Sequence, residues 1–390
     1  MLPELNPFTP GSGLKPPALK GREAEIEIFD RIVARSKTRK YDRGMVLSGL
    51  RGVGKTALLN HLAENAERHG WLVIRIEGRP DNSGVATVRK KLGRELAQGL
   101  RRFSRRHHTQ HAIDTLVTLA SRFTLSVGIA GAKVDLSMDD DRAASGDIEV
   151  DLEELVEDVC EAVRKKNSAF GLFIDEMQDL DAELLAALLA VQHRAGQHGW
   201  PFFVIGAGLP NLSAKLAGTR SYSERLFDYR VIGPLAEDAA REALDVPVTR
   251  HGCAFEVDAL DILVAASAGY PYFIQVFGKE IWNLAEETKF TETDAHEAVE
   301  LGRLALDSGF FPSRWERASP GERDYLRAIA ATGEDNPRTG ELAGRLGVQV
   351  NALSGVRDTA IKKGLIWSPE YGRVAFTVPG MADFIRRQPI

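Results

Sequence analysis

The sequence has little cysteine: two residues in 390, Cys160 and Cys253, far apart and inside segments of helical pattern. That excludes a disulfide framework and predicts free thiols in a reducing compartment, the cytoplasm by default. No apolar run is long enough to span a membrane. The opening residues MLPELNPFTPGSG have neither the basic start nor the apolar middle of a secretory signal. Charge of one sign is not in excess either. The formal net charge is -5, so nucleic acid has no global attraction to this chain and would need a local patch. No Ser-His-Asp or Cys-His arrangement can be drawn from the spacing, which disfavours a hydrolase with a covalent intermediate. His107, His108 and His111 have no cysteine or carboxylate at ligand spacing, so no zinc site is expected. What is present, 44% hydrophobic and 27% charged residues, reads as a globular chain long enough for two or three cores.

Residues 1–20 are rich in Pro and Gly and read as an extended arm. GREAEIEIFDRIVAR follows with Ile26, Ile28, Phe29 and Ile32 on a helix face. MVLSGL (45–50) suits a buried strand, ALLNHLAENAERHG a helix stopping at Gly70, and WLVIRIEG (71–78) a second strand. A helix is expected over roughly 83–104. TLSVGIAGAKVDLS alternates like a strand pair folded about Gly131, and MDDDRAASGD reads as a solvated loop. DLEELVEDVCEAVRKK is a helix whose Asp151 and Glu154 have capping-box spacing. Two strongly apolar strands, AFGLFID (169–175) and PFFVIGA (201–207), flank the helix AELLAALLAVQHRAG, and YRVIG (229–233) is a weaker strand. Strands separated by helices predict an α/β domain with a mostly parallel sheet over 21–234. From 235 to 312 four helical patterns and no strand predict an all-helical domain. From 313 to 390, three helices and a hairpin predict a winged helix-turn-helix.

GLRGVGKT (49–56) satisfies GxxxxGK[ST] with a strand before it and a helix after it. Gly49, Gly52 and Gly54 let the loop curl so that backbone N–H groups, including those of Val53 and Ala57, face phosphate at a helix N-terminus. Lys55 then reaches the β- and γ-phosphates, and the Thr56 hydroxyl is offered to Mg²⁺. Such a loop needs a second anchor for the metal. GLFIDE (171–176) supplies it: a buried strand ending in Asp175, with Glu176 placed to polarise a water.

On these motifs the chain resembles AAA+ P-loop ATPases of the origin-recognition type, in particular bacterial ATP-binding proteins similar to archaeal ORC1/Cdc6-like ATPases. The resemblance adds GRE (21–23), GAGLPNL, SERLFDYRVIGPL and the GYP of the helical domain, and so covers nearly the whole chain. It implies that the helical domain is a lid, that Gly21 and Arg22 lie on the adenine side, and that Pro271 belongs to the nucleotide site. It also implies that Arg225 acts as an arginine finger on a neighbouring subunit, within an ATP-dependent homo-oligomer. A surface or intrachain role for Arg225 stays open. Two departures stand out. The polar sensor at the end of the fourth strand falls on Gly206, Ala207 and Gly208, with Asn211 as a displaced candidate. The sensor arginine of the lid falls on Tyr272. Slow hydrolysis, or a switch set mainly by binding, is therefore expected.

In the C-terminal module, Leu353, Val356 and Ile361 can face a core, leaving Asn351, Ser354, Arg357 and Lys362 for a DNA groove. Arg373 in the hairpin, and Arg386 and Arg387 beyond it, can meet phosphates. Asp358 and Glu370 sit among them, so the charge decides neither for duplex DNA nor against it. A signalling or scaffold ATPase recruiting a partner protein is the alternative. The basic run RRFSRRHH (101–108) is a second candidate contact surface, which a solvated helix end explains equally well.

Overall fold

The computed structural model describes residues 1–11, 13–79, 82–107, 117 and 147–389. The strand pair expected about Gly131 and the loop after it lie outside the described residues. The contacts divide the chain into two compact units: residues 22–49 with 55–232, and residues 1–21 with 50–54 and 233–390.

The first unit is a five-stranded sheet with its helices. In chain order it contains α1 (Glu23–Lys37), β1 (Gly44–Ser48), α2 (Lys55–Arg68), β2 (Leu72–Glu77) and α3 (Asn82–His107). These are followed by α4 (Ile148–Arg164), β3 (Phe170–Asp175), α5 (Ala182–His198), β4 (Phe202–Gly208), α6 (Leu212–Thr219) and β5 (Phe227–Val231). The strands run parallel in the order β2-β3-β4-β1-β5. Every residue of β1 and β4 is buried, and in β3 only Asp175 is not. Strands buried along their whole length are what a parallel sheet covered on both faces requires. Ser48 is opposite Gly208, Ile174 opposite Gly206 and Glu77 opposite Asp175, so the carboxyl ends of four strands lie side by side.

One boundary differs from expectation. Helix α4 starts at Ile148, and its cap is Asp147, whose carboxylate accepts the N–H of Glu149 at 2.8 Å. Asp151 therefore sits in the first turn instead of capping it. The earlier start lets Ile148 and Leu152 join the core on one face.

The second unit carries α7 (Glu237–Thr249), α8 (Val257–Ser267), α9 (Pro271–Leu284) and α10 (Glu292–Ala305). It is not purely helical. Two-residue strands β6 (Ala254–Phe255) and β7 (Lys289–Phe290) pair in parallel, and the Phe255 and Phe290 rings meet edge-on with centroids 5.0 Å apart. A π-turn, Leu306–Phe310, leads into α11 (Pro312–Trp315). Three helices follow, α12 (Pro320–Thr332), α13 (Thr339–Leu346) and α14 (Ser354–Lys362). The antiparallel pair β8 (Ile366–Trp367) and β9 (Ala375–Phe376) and the short α15 (Met381–Arg386) complete the chain. Ser319 and Glu322 form a capping box that fixes the start of α12.

The N-terminal residues pack along the second unit. Phe8 is buried against Gly278 of α9, where a Cβ would come within 2.7 Å of its ring. The Trp282 indole donates to the Leu2 carbonyl at 3.0 Å.

Candidate nucleotide site

The loop after β1 begins at the sheet. The Gly49 N–H donates to the Gly208 carbonyl at 3.1 Å, which ties the loop to the end of β4. Gly52 and Gly54 then take φ of +84° and +88°, values open to glycine and costly for other residues. Helix α2 opens at Lys55 with no acid in its first turn, leaving its positive end available to an anion. Val53 and Lys55 are buried, whereas Thr56 and Ala57 are half-buried. In the second unit, the side chains of Tyr270, Pro271 and Tyr272 lie beside the loop. An added Cβ would be 3.7 Å from Tyr272 at Gly52 and 3.7 Å from Pro271 at Gly54.

The Thr56 hydroxyl donates to Asp175 at 2.7 Å, and the other Asp175 oxygen accepts the Glu176 N–H at 2.9 Å. Burial raises the Asp175 pKa, against the opposing pull of Thr56, the Glu176 N–H and Lys55. One hydroxyl and one carboxylate oxygen converging in this way suit Mg²⁺, a hard cation that keeps waters and takes substrate phosphates as its remaining ligands. Among the described residues, no group of three or more His, Cys, Asp or Glu could hold a metal by itself. That also fits a metal shared with a ligand.

Glu176 follows in the left-handed region (φ 45°, ψ 45°), which costs about 1–3 kcal/mol for such a residue. Gly78, at the end of β2, lacks the Cβ that would overlap the Glu176 carbonyl, and so leaves room for the turn. The side chain that holds Glu176 was not foreseen. Buried Gln178 donates from Nε2 to Glu176 at 2.6 Å and to Asp179 at 3.1 Å, and its Oε1 accepts the Leu209 N–H at 3.0 Å. It fits because Gly208 has no side chain. Asn211, the displaced sensor candidate, is exposed and its side chain makes no cap to α6. A buried polar residue opposite a run of small residues on the neighbouring strand was the available signal.

The remaining expected residues are dispersed. Gly21 has φ +66° and sits beside Leu235 and Ala239. Arg22 is buried, and burial lowers its pKa against Glu25 and Glu23. Arg225 is exposed in the short turn Ser221–Arg225 ahead of the edge strand β5, with no ion pair among the described residues.

In the C-terminal module, Asn351, Ser354 and Lys362 are exposed, but the expectation of an exposed Arg357 and Arg373 is not met. Arg357 is half-buried, 3.6 Å from Asp358, and its charge lowers the pKa that burial has raised at Tyr325. The Arg373 side chain donates to the Asn336 carbonyl at 2.6 Å, and its backbone forms an isolated antiparallel bridge with Arg338. Arg386 donates to the Ala330 carbonyl, and Arg387 grips both oxygens of Asp307 at 2.8 and 2.6 Å. Arg373 and Arg386 are thus spent inside the module, whose strands are only two residues long, and Arg387 on Asp307 in the turn ahead of it. Inward, Leu353 and Ala360 are fully buried, Val356 and Ile361 only partly.

A buried parallel strand, a glycine loop opening a helix, and an acid at the tip of another strand define a P-loop nucleotide-binding fold. Residues 18–205 match the family model "AAA ATPase domain". Residues 308–385 match a domain of unknown function, DUF8462. Among solved structures, the Walker-type ATPase PABY2304 of Pyrococcus abyssi is similar in fold. It is 18% identical, with 99% of this chain and 100% of that one covered, at a TM-score of 0.61. The ORC1 protein of Aeropyrum pernix in complex with DNA is 17% identical, covering 95% and 94%, at 0.48. The RuvB Holliday junction branch migration motor of Thermotoga maritima is 14% identical, covering 95% and 96%, at 0.46. No curated protein matches the chain. Among the described residues no helix is long and apolar enough to cross a membrane.

Gln178→Leu strands the buried Leu209 N–H and frees Glu176. It should lower unfolding free energy by about 1–3 kcal/mol in a urea titration. An unchanged midpoint would remove Gln178 from the frame of the site.

Proposed function

We propose that the chain binds ATP with Mg²⁺, hydrolyses it slowly, and works as a nucleotide-dependent switch. The observation that carries this reading is the Thr56–Asp175 contact at 2.7 Å beside a glycine loop with no acid in the helix it opens. In this reading the backbone N–H groups of Gly52, Val53 and Gly54 and the Lys55 ammonium take the phosphates. Thr56 and Asp175 take the metal, which would supply charge neutralisation. Gly21 and Arg22 border the nucleotide on its base side, and Pro271 belongs to the site beside Gly54. Glu176, oriented by Gln178, accepts the proton of an attacking water. Arg225, exposed and without an ion pair among the described residues, completes the site of a second copy. The narrower likeness to origin-recognition ATPases is part of the same proposal and rests on the SERLF and GYP segments.

The loop has a direct link to the C-terminal module. Gly364, just past α14, has φ +65°, and a Cβ there would come within 2.7 Å of Arg51 Nε. We read the module, three helices and an antiparallel pair, as a winged helix that engages duplex DNA through Asn351, Ser354 and Lys362. The internal engagement of Arg373, Arg386 and Arg387 favours the second reading, in which the module contacts a partner protein.

Lys55→Ala should abolish ATP binding in calorimetry, and wild-type affinity in that variant would end the ATP reading. Glu176→Gln should retain binding while phosphate release falls at least tenfold, on the order of what a general base contributes. Unchanged release would exclude Glu176 as the base.

Arg225→Ala should bind ATP without turning it over. A mixture of this variant with Glu176→Gln should recover activity that neither has alone, and an inactive mixture of associating proteins would leave Arg225 a surface residue. For DNA, Lys362→Ala should flatten the salt dependence of duplex binding by about 0.9 in slope. Identical binding across the salt series would favour protein recruitment.

A further inference from the structure

The turn that carries Glu176 is held from outside as well as from within. After Glu176 the chain makes the short 3₁₀ turn Met177–Asp179 and leaves it through Leu180 to Asp181, the cap of α5. The Asp179 N–H donates to the Glu176 carbonyl at 2.8 Å, and the Leu180 N–H to the Met177 carbonyl at 3.3 Å. A turn this short leaves its last carbonyls without partners of its own. Lys215, the fourth residue of α6, supplies them. Its Nζ donates to the Gln178 carbonyl and, at 3.2 Å, to the Leu180 carbonyl, so one ammonium grips the turn on both sides of Asp179.

Lys215 is half-buried, and burial lowers its pKa against the charges of Asp179 and Asp181, which raise it. Its two bonds go to neutral carbonyls, while the Asp181 carboxylate takes the Arg89 Nε of α3 at 3.1 Å and the Leu184 N–H at 3.0 Å. Bonds to carbonyls fix the path of a backbone, which an ion pair to a rotatable carboxylate does not. Gln178 is the residue this fixes most. Lys215 holds its carbonyl, the Leu209 N–H holds its Oε1 at 3.0 Å, and its Nε2 is thereby directed to Glu176 at 2.6 Å. Leu209 and Lys215 both follow β4, so one segment sets Gln178 by main chain and side chain together.

We propose that Lys215 is a positioning residue for hydrolysis, which by clamping the Gln178 main chain keeps the Gln178 amide, and through it the Glu176 carboxylate, aimed at the attacking water. The inference rests on the ATP reading and adds to it a residue that none of the motifs above contains. Glu176 does not hold its left-handed conformation by its own preference, so its aim depends on what grips the turn. A displacement of about 1 Å at a reacting group costs on the order of 100-fold in rate. Lys55, Thr56 and Asp175, which take phosphate and metal in that reading, precede the turn and make no bond to Lys215. Loss of the Lys215 clamp therefore falls on turnover and spares binding.

The test uses the full chain with Mg²⁺ and ATP, with affinity read by calorimetry and phosphate release followed under single turnover. Lys215→Met, which keeps the length of the side chain and removes its donors, should retain ATP affinity within about twofold and lose about 10- to 100-fold in rate. Lys215→Arg still donates to carbonyls and should return to within about threefold of wild type. In a Glu176→Gln background the Lys215→Met exchange should cost less than about twofold more, because the group it positions is no longer a base. Thermal melts check folding, and Lys215→Gln, with a shorter reach, takes the place of Lys215→Met if that chain does not fold. An unchanged rate, a loss of affinity as large as the loss of rate, or a full further loss in the Glu176→Gln background overturns the positioning role and leaves the ATP reading intact. Failure of wild type to bind ATP, or a Glu176→Gln chain as fast as wild type, overturns the reading beneath it and the inference with it.

Discussion

The chemistry of this chain hangs from the carboxyl ends of buried parallel strands. A strand in the middle of such a sheet cannot slide, because every backbone group is paired and every side chain is packed on one face or the other. The ladders of β1 with β4 and of β3 with β4 therefore fix Ser48, Asp175 and Gly208 beside one another. Loops leaving that edge inherit the precision of the sheet. Gly49 is bonded to Gly208, Thr56 to Asp175, and Gln178 to Glu176 and Leu209. Ligands of open parallel sheets bind at this edge for the same reason.

Around that edge the chain uses small residues where other side chains must enter. Gly208 admits Gln178, Gly206 admits Met177, and Gly78 admits the backbone of Glu176. Each trades a side chain of its own for the position of a neighbour's. The strained conformation at Glu176 belongs with this. A residue held at φ 45° by packing, not by its own preference, keeps its carboxylate aimed while the surrounding core supplies the stability.

The second unit shows a different economy of charge. Arg373 and Arg386 are each engaged with a carbonyl of their own module, and Arg387 with the Asp307 carboxylate in the turn ahead of it. Small domains with two-residue strands have few ladder bonds, and side-chain bonds to backbone take their place. A basic residue in such a module is therefore a poor guide to nucleic acid.

The glycine loop, the helix after it, and the acid closing an apolar strand were legible from the sequence because they are local. A run of eight residues between a strand and a helix determines its own curl, and an acid at the end of an apolar strand marks the strand tip. The division into a parallel α/β region and a later helical region was legible from periodicity alone. What only the tertiary structure decided depends on partners distant in the chain. Gln178 enters beside Glu176 because of an empty position on β4, thirty residues away in sequence. The start of α4 moved because Ile148 had a core to join. The strands β6 and β7 exist only through their pairing, since two residues carry no periodic signal. Which arginines face outward was likewise undecidable from charge and helical spacing. That is settled by whether a carbonyl, a carboxylate or an aromatic face from another element meets the guanidinium first.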